Sequence, residues 1–130
     1  MTQPPHPLPN VVRKYWYSID WDVESLWALE LPTETIPVSL LAWHMDVPVW
    51  PNEAGKTYST TPHEVLSAPR QNRREHARIL AADLSFPIEV IDRGGKLMIL
   101  DGIHRLARSI LEGHKSIRVR RVPATAIRHL

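Results

Sequence analysis

The chain has 130 residues, 43% of them hydrophobic, and a formal net charge of +2. This size accommodates one domain with a single core. The absence of cysteine excludes disulfides, thiolate metal ligands and a thiol nucleophile, and no apolar run approaches the roughly 18 residues of a membrane span. We expect a cytoplasmic protein without membrane association, in which a flexible Pro-rich leader at 1–12 precedes a single domain at 13–130.

The charge is distributed unevenly along the chain. Residues 1–65 contain 3 basic and 8 acidic residues and have a net charge of −5, whereas residues 66–130 contain 13 basic and 6 acidic residues and have a net charge of +7. A basic half suits phosphates, nucleotides and nucleic acid equally. The imbalance also fits an ordinary solvated surface that packs beside the acidic half.

The first part of the chain predicts short elements followed by a loop. Residues 14–21, KYWYSIDW, alternate as a strand does. Residues 22–31 predict a short helix, and residues 35–41 begin as a strand and turn into a helical turn. Residues 42–55 contain two prolines and predict an irregular loop with short extended pieces.

Two helices are predicted in the middle of the chain. Thr61 is the expected N-cap of the first, with Pro62 at the first helical position and Glu64 completing a capping box. Pro69 interrupts this helix and opens a longer one over 69–83. The predicted buried edge of the longer helix is Ile79, Leu80 and Leu84, and its outward arginines are Arg70, Arg73, Arg74 and Arg78.

The last third predicts a hairpin, a helix and a final strand. Residues 87–91, PIEVI, and 96–100 are the two strands, and Arg93-Gly94-Gly95 is the turn between them. An amphipathic helix follows and ends at Gly113. Residues 116–122 form the last strand, with Ile117 and Val119 inward and Arg118 and Arg120 outward. The fold class is therefore α+β, a small mixed sheet flanked by helices.

The junction between the second hairpin strand and this helix, DGIHR, has the features of an anion site. A strand that enters a helix through a glycine turn leaves backbone N–H groups free, and the helix dipole favours an anion beside them. Arg105, in the first turn, adds a group suited to bidentate phosphate binding. Asp101 is also a suitable N-cap, and Arg105 is equally suited to a surface pair with Asp101 or Glu112.

The order of elements over residues 35–122, with DG-x-HR at the junction, resembles the ParB/sulfiredoxin-like superfamily. The resemblance begins at TIPV (35–38) and continues through the Arg-rich helix, PIEVI, the Gly-Gly hairpin, MILDGIHRLARSILEG and IRVRRV. It implies a compact α+β fold that binds nucleotide phosphates at this turn. The phosphate-binding residues it implies are Asp101, Gly102, Ile103, His104 and Arg105, with Arg73 from the flanking helix.

The resemblance also limits the chemistry. The sulfiredoxin motif has a cysteine where this chain has Ile103, which excludes that reaction. The partition proteins of the superfamily carry a Glu-Arg-Arg motif and a downstream helix-turn-helix domain, so DNA segregation is not expected as the whole function. The His-Arg form is closer to the kinase-like and sulfiredoxin-like branches.

A phosphotransferase needs a base near its acceptor. In the fold that the resemblance implies, the loop at 43–50 lines the same pocket, and His44 and Asp46 are its candidate catalytic residues. His104 is a third candidate, as an acid or base, although it also suits phosphate binding or a structural cap. Trp43 and Trp50 suit stacking on a ligand ring, and equally suit the core.

Three functions remain open. The first is a nucleotide- or phosphate-binding domain, acting as an ATP- or CTP-dependent phosphotransferase or nucleotide hydrolase with a nucleoside di- or triphosphate and Mg²⁺. The second is a nucleic-acid-binding or nuclease-like module, supported by the arginines of the basic half. The third is a non-catalytic regulatory partner, supported by the Trp-rich acidic half. The histidines lack the spacing of a metal site, so no protein-bound metal is expected.

Overall fold

The computed structural model describes residues 21–127 as an α+β fold, which confirms the predicted fold class. The helices are α1 (Val23–Ala28), α2 (Pro62–Ser67), α3 (Arg73–Ala81) and α4 (Ile103–Leu111), and the strands are β1 (Thr33–Pro37), β2 (Ile88–Arg93), β3 (Lys96–Asp101) and β4 (Ser116–Arg121). Short 3-10 helices span Val38–Leu40, Ala42–Asp46 and Ala124–Ala126. The leader at 1–12 and nearly all of the strand predicted at 14–21 lie outside the described residues.

The four strands form one mixed sheet in the order β1-β4-β2-β3. β2 runs parallel to β4, whereas the pairs β1–β4 and β2–β3 are antiparallel. The β2–β3 turn is made by Gly94 and Gly95, whose φ values of 60° and 80° are those of a two-residue hairpin loop. Helix α4 then connects β3 to β4. Because Glu89 pairs with Asp101 in the sheet, the start of β2 and the end of β3 lie side by side.

Apolar residues cover both faces of the sheet. On one face, Val90, Ile99 and Val119 belong to a core cluster with Ile79 of α3 and Leu106 of α4, as the alternation of strand side chains predicts. A second cluster joins the other face to α1 and the C-terminal segment, and its buried members are Leu26, Ile91, Met98, Leu100, Val122 and Ile127. Within residues 21–127, no helix has the length and apolar character needed to cross a membrane.

The predicted N-cap of α2 is confirmed, and the carboxylate of Glu64 accepts a hydrogen bond from the Thr61 hydroxyl at 3.2 Å. Thr61 is the N-cap, and its Oγ1 accepts a hydrogen bond from the backbone N–H of Glu64 at 3.0 Å. Pro62 occupies the first turn, where its missing N–H leaves no helical hydrogen bond unmade. The loop predicted over 42–55 is more ordered at its start than expected, because Ala42–Asp46 is a 3-10 helix.

The prediction of a helix over 69–83 is wrong in its bounds and in its buried face. The segment before α3 is a turn, in which Gln71 N–H donates to the Ala68 carbonyl, and the helix begins only at Arg73. Leu80 is 52% exposed, whereas Ile79 is fully buried and Glu75, one turn before it, is also buried. Residues four apart share a helix face, so the inward face of α3 carries a carboxylate where the sequence suggests only apolar contacts.

Ile79→Ala and Leu80→Ala form a matched pair that tests this assignment. Ile79→Ala leaves a cavity in the main core and is expected to lower the free energy of unfolding by about 2–5 kcal/mol. Leu80→Ala removes an exposed side chain and is expected to change it by less than about 0.5 kcal/mol. Urea unfolding of the two variants measures both values, and similar losses contradict the assignment.

Candidate functional site

A cavity of about 770 Å³ lies beside the β3–α4 turn. Its walls come from α1, the C-terminal end of α3, the start of β2, the β3–α4 turn and β4, so it joins segments that are far apart in sequence. Its volume is within the range of small-molecule sites. The charged residues that line it are Arg78, Asp83, Glu89, Asp101, Arg105 and Arg120.

Gly102 allows the chain to pass closely under this cavity. Its φ of +120° is a conformation that side chains with a Cβ rarely adopt. A Cβ added there would lie 3.0 Å from Cγ1 of Ile88 and 3.1 Å from Nε of Arg105. The glycine therefore lets the N-terminus of α4 approach both β2 and the Arg105 guanidinium.

Arg105 connects three parts of the site. Its Nη1 donates to the carbonyl of Pro87, which precedes β2, and its Nη2 donates to Oδ2 of Asp101 at 2.9 Å. The same Nη2 lies 3.9 Å from Oε1 of Glu89. The pairing of Arg105 with Asp101, foreseen as the alternative to phosphate binding, is thus present. The side chain is 14% exposed, so the guanidinium is held against the cavity wall rather than extended into solvent.

Glu89 is a buried carboxylate between two arginines. Its side chain is 3% exposed, and Oε2 lies 3.8 Å from Nη1 of Arg120. Burial raises the pKa of Glu89 and the Asp101 charge adds to this, while Arg105 and Arg120 oppose it. Arg120, expected to point outward, instead has a side chain that is only 12% exposed and donates to the Leu29 carbonyl.

His104 is held in a fixed orientation by two other side chains. Its Nε2 lies 2.8 Å from Oε1 of Glu75, and its ring stacks on Trp50 with centroids 4.3 Å apart and an interplanar angle of 13°. Burial lowers the pKa of His104, although the hydrogen bond and charge of Glu75 act in the opposite direction. The imidazole lines the cavity beside Arg105.

The aromatic side chains at the cavity differ from those expected. Trp50 is buried behind His104, and Trp43 packs against the second core cluster. The cavity is instead lined by Trp27 and Phe86, which are 59% and 62% exposed. The indole N–H of Trp27 donates to Oδ2 of Asp101 at 2.9 Å, which fixes the edge of the ring toward the turn.

His44 lies in the core and not at the cavity. It has no exposed surface, its Nδ1 is 2.7 Å from the Leu41 carbonyl, and its Nε2 accepts the backbone N–H of Ile99 at 2.9 Å. Both ring nitrogens are therefore used to join the 3-10 segment to β3. The sequence-based placement of this loop at the phosphate pocket is wrong for His44, because the 3-10 helix turns the ring inward.

Asp46 lies beside a different groove. Its Oδ1 is 2.7 Å from Nδ1 of His63, and both side chains are largely exposed. They line a shallow depression of about 650 Å³ that includes His114 and Lys115 and none of the residues of the first cavity. Asp46 is therefore not brought together with the DGIHR turn.

Arg73 also fails to reach the cavity, which α3 lines with Arg78 instead. Of the residues implied as phosphate ligands, the structure brings together Asp101, Gly102, His104 and Arg105 at the cavity. Ile103 turns its partly buried side chain to the main core, which leaves only its backbone for the site.

Sequence reasoning missed four charged residues of the site: Arg78, Asp83, Glu89 and Arg120. Glu89 has a clear signal, since it is the one charged residue in the strand PIEVI, with apolar neighbours on both sides. A charge within a buried strand is costly unless it has a partner, and Arg120 is that partner in the neighbouring strand. Trp27 has no comparable signal, because nothing in the helix pattern distinguishes a cavity-lining tryptophan from a surface one.

The cavity does not form a metal site from protein groups alone. Across the part of the chain that the structure describes, no group of three or more His, Asp or Glu side chains is arranged to hold a metal ion. Mg²⁺ is commonly bound by one or two carboxylates together with substrate phosphates. Asp83 and Asp101 are the cavity carboxylates suited to that shared mode.

The buried His44 makes the stability depend on pH. Burial lowers its pKa from 6.5 to about 4, a shift that the hydrogen bond to Leu41 opposes and the Lys96 charge reinforces. As the pH falls, His44 is protonated in the unfolded chain at a higher pH than in the folded one. Its contribution to the free energy of unfolding is therefore present well above pH 6.5 and is lost as the pH falls toward 4. Down to pH 4 the free energy of unfolding is expected to fall by about 3 kcal/mol through His44.

His44→Gln removes this titration while keeping a polar group. The free energy of unfolding of each protein is measured in urea at about pH 7 and pH 4.5. The loss between these two pH values is expected to be about 2 kcal/mol smaller in His44→Gln than in the unmodified protein. The other acidic groups contribute to both proteins and cancel in the difference. Equal pH dependence in the two proteins contradicts the assigned role of His44.

Gly102→Ala tests the close approach at the turn. The added methyl group would meet Ile88 and Arg105 in a strained backbone conformation, and we expect a loss of about 2–4 kcal/mol in the free energy of unfolding. Gly95→Ala is the control, because its φ is also positive but no atom lies within 4 Å of the added Cβ. It is expected to lose about 1 kcal/mol, and equal losses would mean that contact with Arg105 and Ile88 is unimportant.

Comparison of the chain with protein-family models, with curated proteins and with solved structures found no match. The ParB/sulfiredoxin-like resemblance consequently rests on the DGIHR junction and the order of elements alone, and it stays a prediction.

Proposed function

We propose that this protein binds a nucleotide in the cavity beside the β3–α4 turn, with its phosphates at the turn and its base against Trp27 and Phe86. The observation that carries the proposal is the position of Arg105, which is fixed at the cavity wall next to the N-terminus of α4. A planar guanidinium beside the free N–H groups at a helix N-terminus is well suited to binding a phosphate group.

Several hydrogen-bond donors suited to phosphate line the cavity. Arg105 uses one N–H on each Nη for Pro87 and Asp101, and its Nη2 also lies 3.9 Å from Glu89. We expect its remaining N–H groups to bind the phosphate. Arg78 and Arg120 line the same cavity, and Gly102 removes the side chain that would cover the helix N-terminus. These positive groups converge from α3, α4 and β4.

The cavity carboxylates favour a nucleotide that arrives with Mg²⁺. Three arginines and three carboxylates line the walls, so their formal charges cancel, and a bare polyphosphate would be repelled by Asp83, Glu89 and Asp101. A Mg²⁺ ion shared between phosphate oxygens and one of these carboxylates removes that repulsion. This is the physical reason for including Mg²⁺ in the proposal.

The two exposed aromatic rings supply the other half of a nucleotide site. Trp27 and Phe86 come from segments 59 residues apart in sequence and line the same cavity. Stacking of a base on an aromatic side chain contributes about 1–3 kcal/mol, and large exposed rings next to phosphate donors suit a planar heterocycle. The ParB/sulfiredoxin-like resemblance, in which the same turn binds nucleotide phosphates, points to the same class of ligand.

Titration of ATP, ADP and CTP in the presence of Mg²⁺ tests the proposal. Arg105→Ala is expected to weaken binding about 10-fold or more, because it removes charge-assisted hydrogen bonds. Trp27→Leu is expected to weaken it about 5-fold or more through lost stacking. Arg121→Ala is the control, because Arg121 pairs with Glu34 on the exposed surface and does not line the cavity.

The Kd of the control variant should be within about twofold of that of the unmodified protein, because Arg121 is a surface charge outside the cavity. Circular dichroism and unfolding curves show whether each variant is folded at the assay temperature. If the unmodified protein binds none of the three nucleotides with a Kd below about 1 mM, which corresponds to about 4 kcal/mol, the nucleotide proposal is wrong. If Arg105→Ala and Trp27→Leu bind as well as the control, the cavity is the wrong site.

A further inference from the structure

We propose that His104 is a general base in this cavity, that Glu75 positions it, and that the protein hydrolyses the terminal phosphate of the nucleoside triphosphate it binds. This inference rests on the proposed nucleotide site and adds a reaction to it. It is carried by the arrangement of His104, Glu75 and Trp50, which the DGIHR motif alone does not reveal.

The imidazole is fixed on two sides. Nε2 of His104 is 2.8 Å from Oε1 of Glu75, whose side chain is 5% exposed, and the ring lies nearly parallel to that of Trp50. The second oxygen of Glu75 lies 3.5 Å from Nη1 of Arg78. A base oriented by a buried carboxylate is a recurring arrangement in enzymes that activate a hydroxyl or a water.

The position of the proton on the ring follows from this contact. A carboxylate can only accept a hydrogen bond, so the neutral ring carries its proton on Nε2 and has its lone pair on Nδ1. Within residues 21–127, the His104 side chain makes no other hydrogen bond. Nδ1 is consequently the ring nitrogen left to accept a proton from a group bound in the cavity.

His104 differs in this respect from the other well-placed histidine of the fold. Both ring nitrogens of His44 contact backbone atoms, so that ring is a structural bridge with no surface. The His104 ring is 29% exposed and lines the cavity next to Arg105. A purely structural histidine would not need to line a cavity that also holds arginines, whereas His104 does.

Burial keeps His104 a neutral base at pH 7, although charged groups surround it. Glu75 and Arg78 face it from α3 and Asp101 faces it from the end of β3, whereas the segment that packs against its ring contributes the uncharged Trp50. Burial, the largest influence, lowers the pKa of His104, and Arg78 adds to this, while Glu75 and Asp101 act to raise it. The ring is therefore neutral and able to accept a proton at pH 7.

The reaction balances with water as the only co-reactant. Nδ1 of His104 accepts a proton from a water molecule while the water oxygen forms a bond to the terminal phosphorus. The bond from that phosphorus to the bridging oxygen breaks, and its electron pair remains on the departing nucleoside diphosphate. The imidazolium then releases its proton to solvent, so the products are nucleoside diphosphate, inorganic phosphate and one proton. Arg105 stabilises the charge on the phosphate oxygens.

Phosphate release from ATP and from CTP, with Mg²⁺ and between about pH 5 and pH 9, tests the inference. His104→Gln keeps an N–H donor for Glu75 but has no titratable nitrogen, and it is expected to lower kcat by about 100-fold or more with Kd within about threefold. His63→Gln is the matched control, because His63 is likewise bonded to a carboxylate, Asp46, but lies outside the cavity. Its kcat is expected to be unchanged.

Glu75→Gln separates positioning from folding. Its amide oxygen can still accept the Nε2–H, but the negative charge that raises the pKa of His104 is lost. The acid limb of the pH–rate profile is therefore expected to move to lower pH in Glu75→Gln, and to be absent in His104→Gln. A merely structural Glu75 would change stability without moving this limb.

The outcomes distinguish the two proposals. If ATP or CTP binds and is hydrolysed with the expected losses in the variants, the inference holds. If either nucleotide binds but is not hydrolysed, or if His104→Gln hydrolyses it at the unmodified rate, the general-base assignment is overturned while the binding proposal stands. If neither nucleotide binds, the proposed function and the reaction that rests on it are both wrong.

Discussion

The site depends on the contacts of one guanidinium. Arg105, in the first turn of α4, is hydrogen-bonded to Asp101 at the end of β3 and to the carbonyl of Pro87 before β2. It joins three segments where the chain changes direction, and only a glycine at 102 lets it lie so close to the backbone. Because the Arg105 side chain is mostly buried, these contacts hold it in one orientation before any ligand arrives. Preorganised donors of this kind stabilise charge without the cost of reorganising at the moment of binding.

Paired charges maintain the same arrangement around the rest of the cavity. Glu89 lies between Arg105 and Arg120, and Glu75 lies between His104 and Arg78. Because each carboxylate is buried, its interactions with its partners are stronger than those of an exposed ion pair. Removing a partner would leave part of the buried charge uncompensated. In the proposed function, an incoming phosphate would meet a guanidinium, that of Arg105, which is already oriented, and would share it with protein carboxylates.

The sequence predicted the fold more fully than the site, for identifiable physical reasons. Hydrophobic periodicity and glycine turns suffice for β2, β3 and α4, because these depend on neighbouring residues, and the DGIHR junction was predicted for the same reason. The placement of His44 and Asp46 at the cavity was wrong, since it required the path of a loop through space, which depends on contacts between distant segments. Leu80 was predicted to be buried because it is apolar. Apolar periodicity cannot reveal that the buried face of α3 consists of Ile79 and the charged Glu75, which leaves Leu80 exposed. Glu89 alone had a readable signal, a charge inside an apolar strand.

The cavity wall formed by α1 gives the site a dynamic consequence. A helix of six residues is not stable by itself. Among the described residues, α1 is held by Leu26 in the second core cluster, by the Trp27–Asp101 hydrogen bond and by the hydrogen bonds from Arg120 to the carbonyls of Leu26 and Leu29. Such an element opens at a lower free energy than the whole domain. A ligand that rests on Trp27 binds only the closed form, so ligand affinity and the docking of α1 are linked equilibria. The backbone amides of α1 should therefore exchange with solvent more slowly as the cavity is filled, without any change in the sheet.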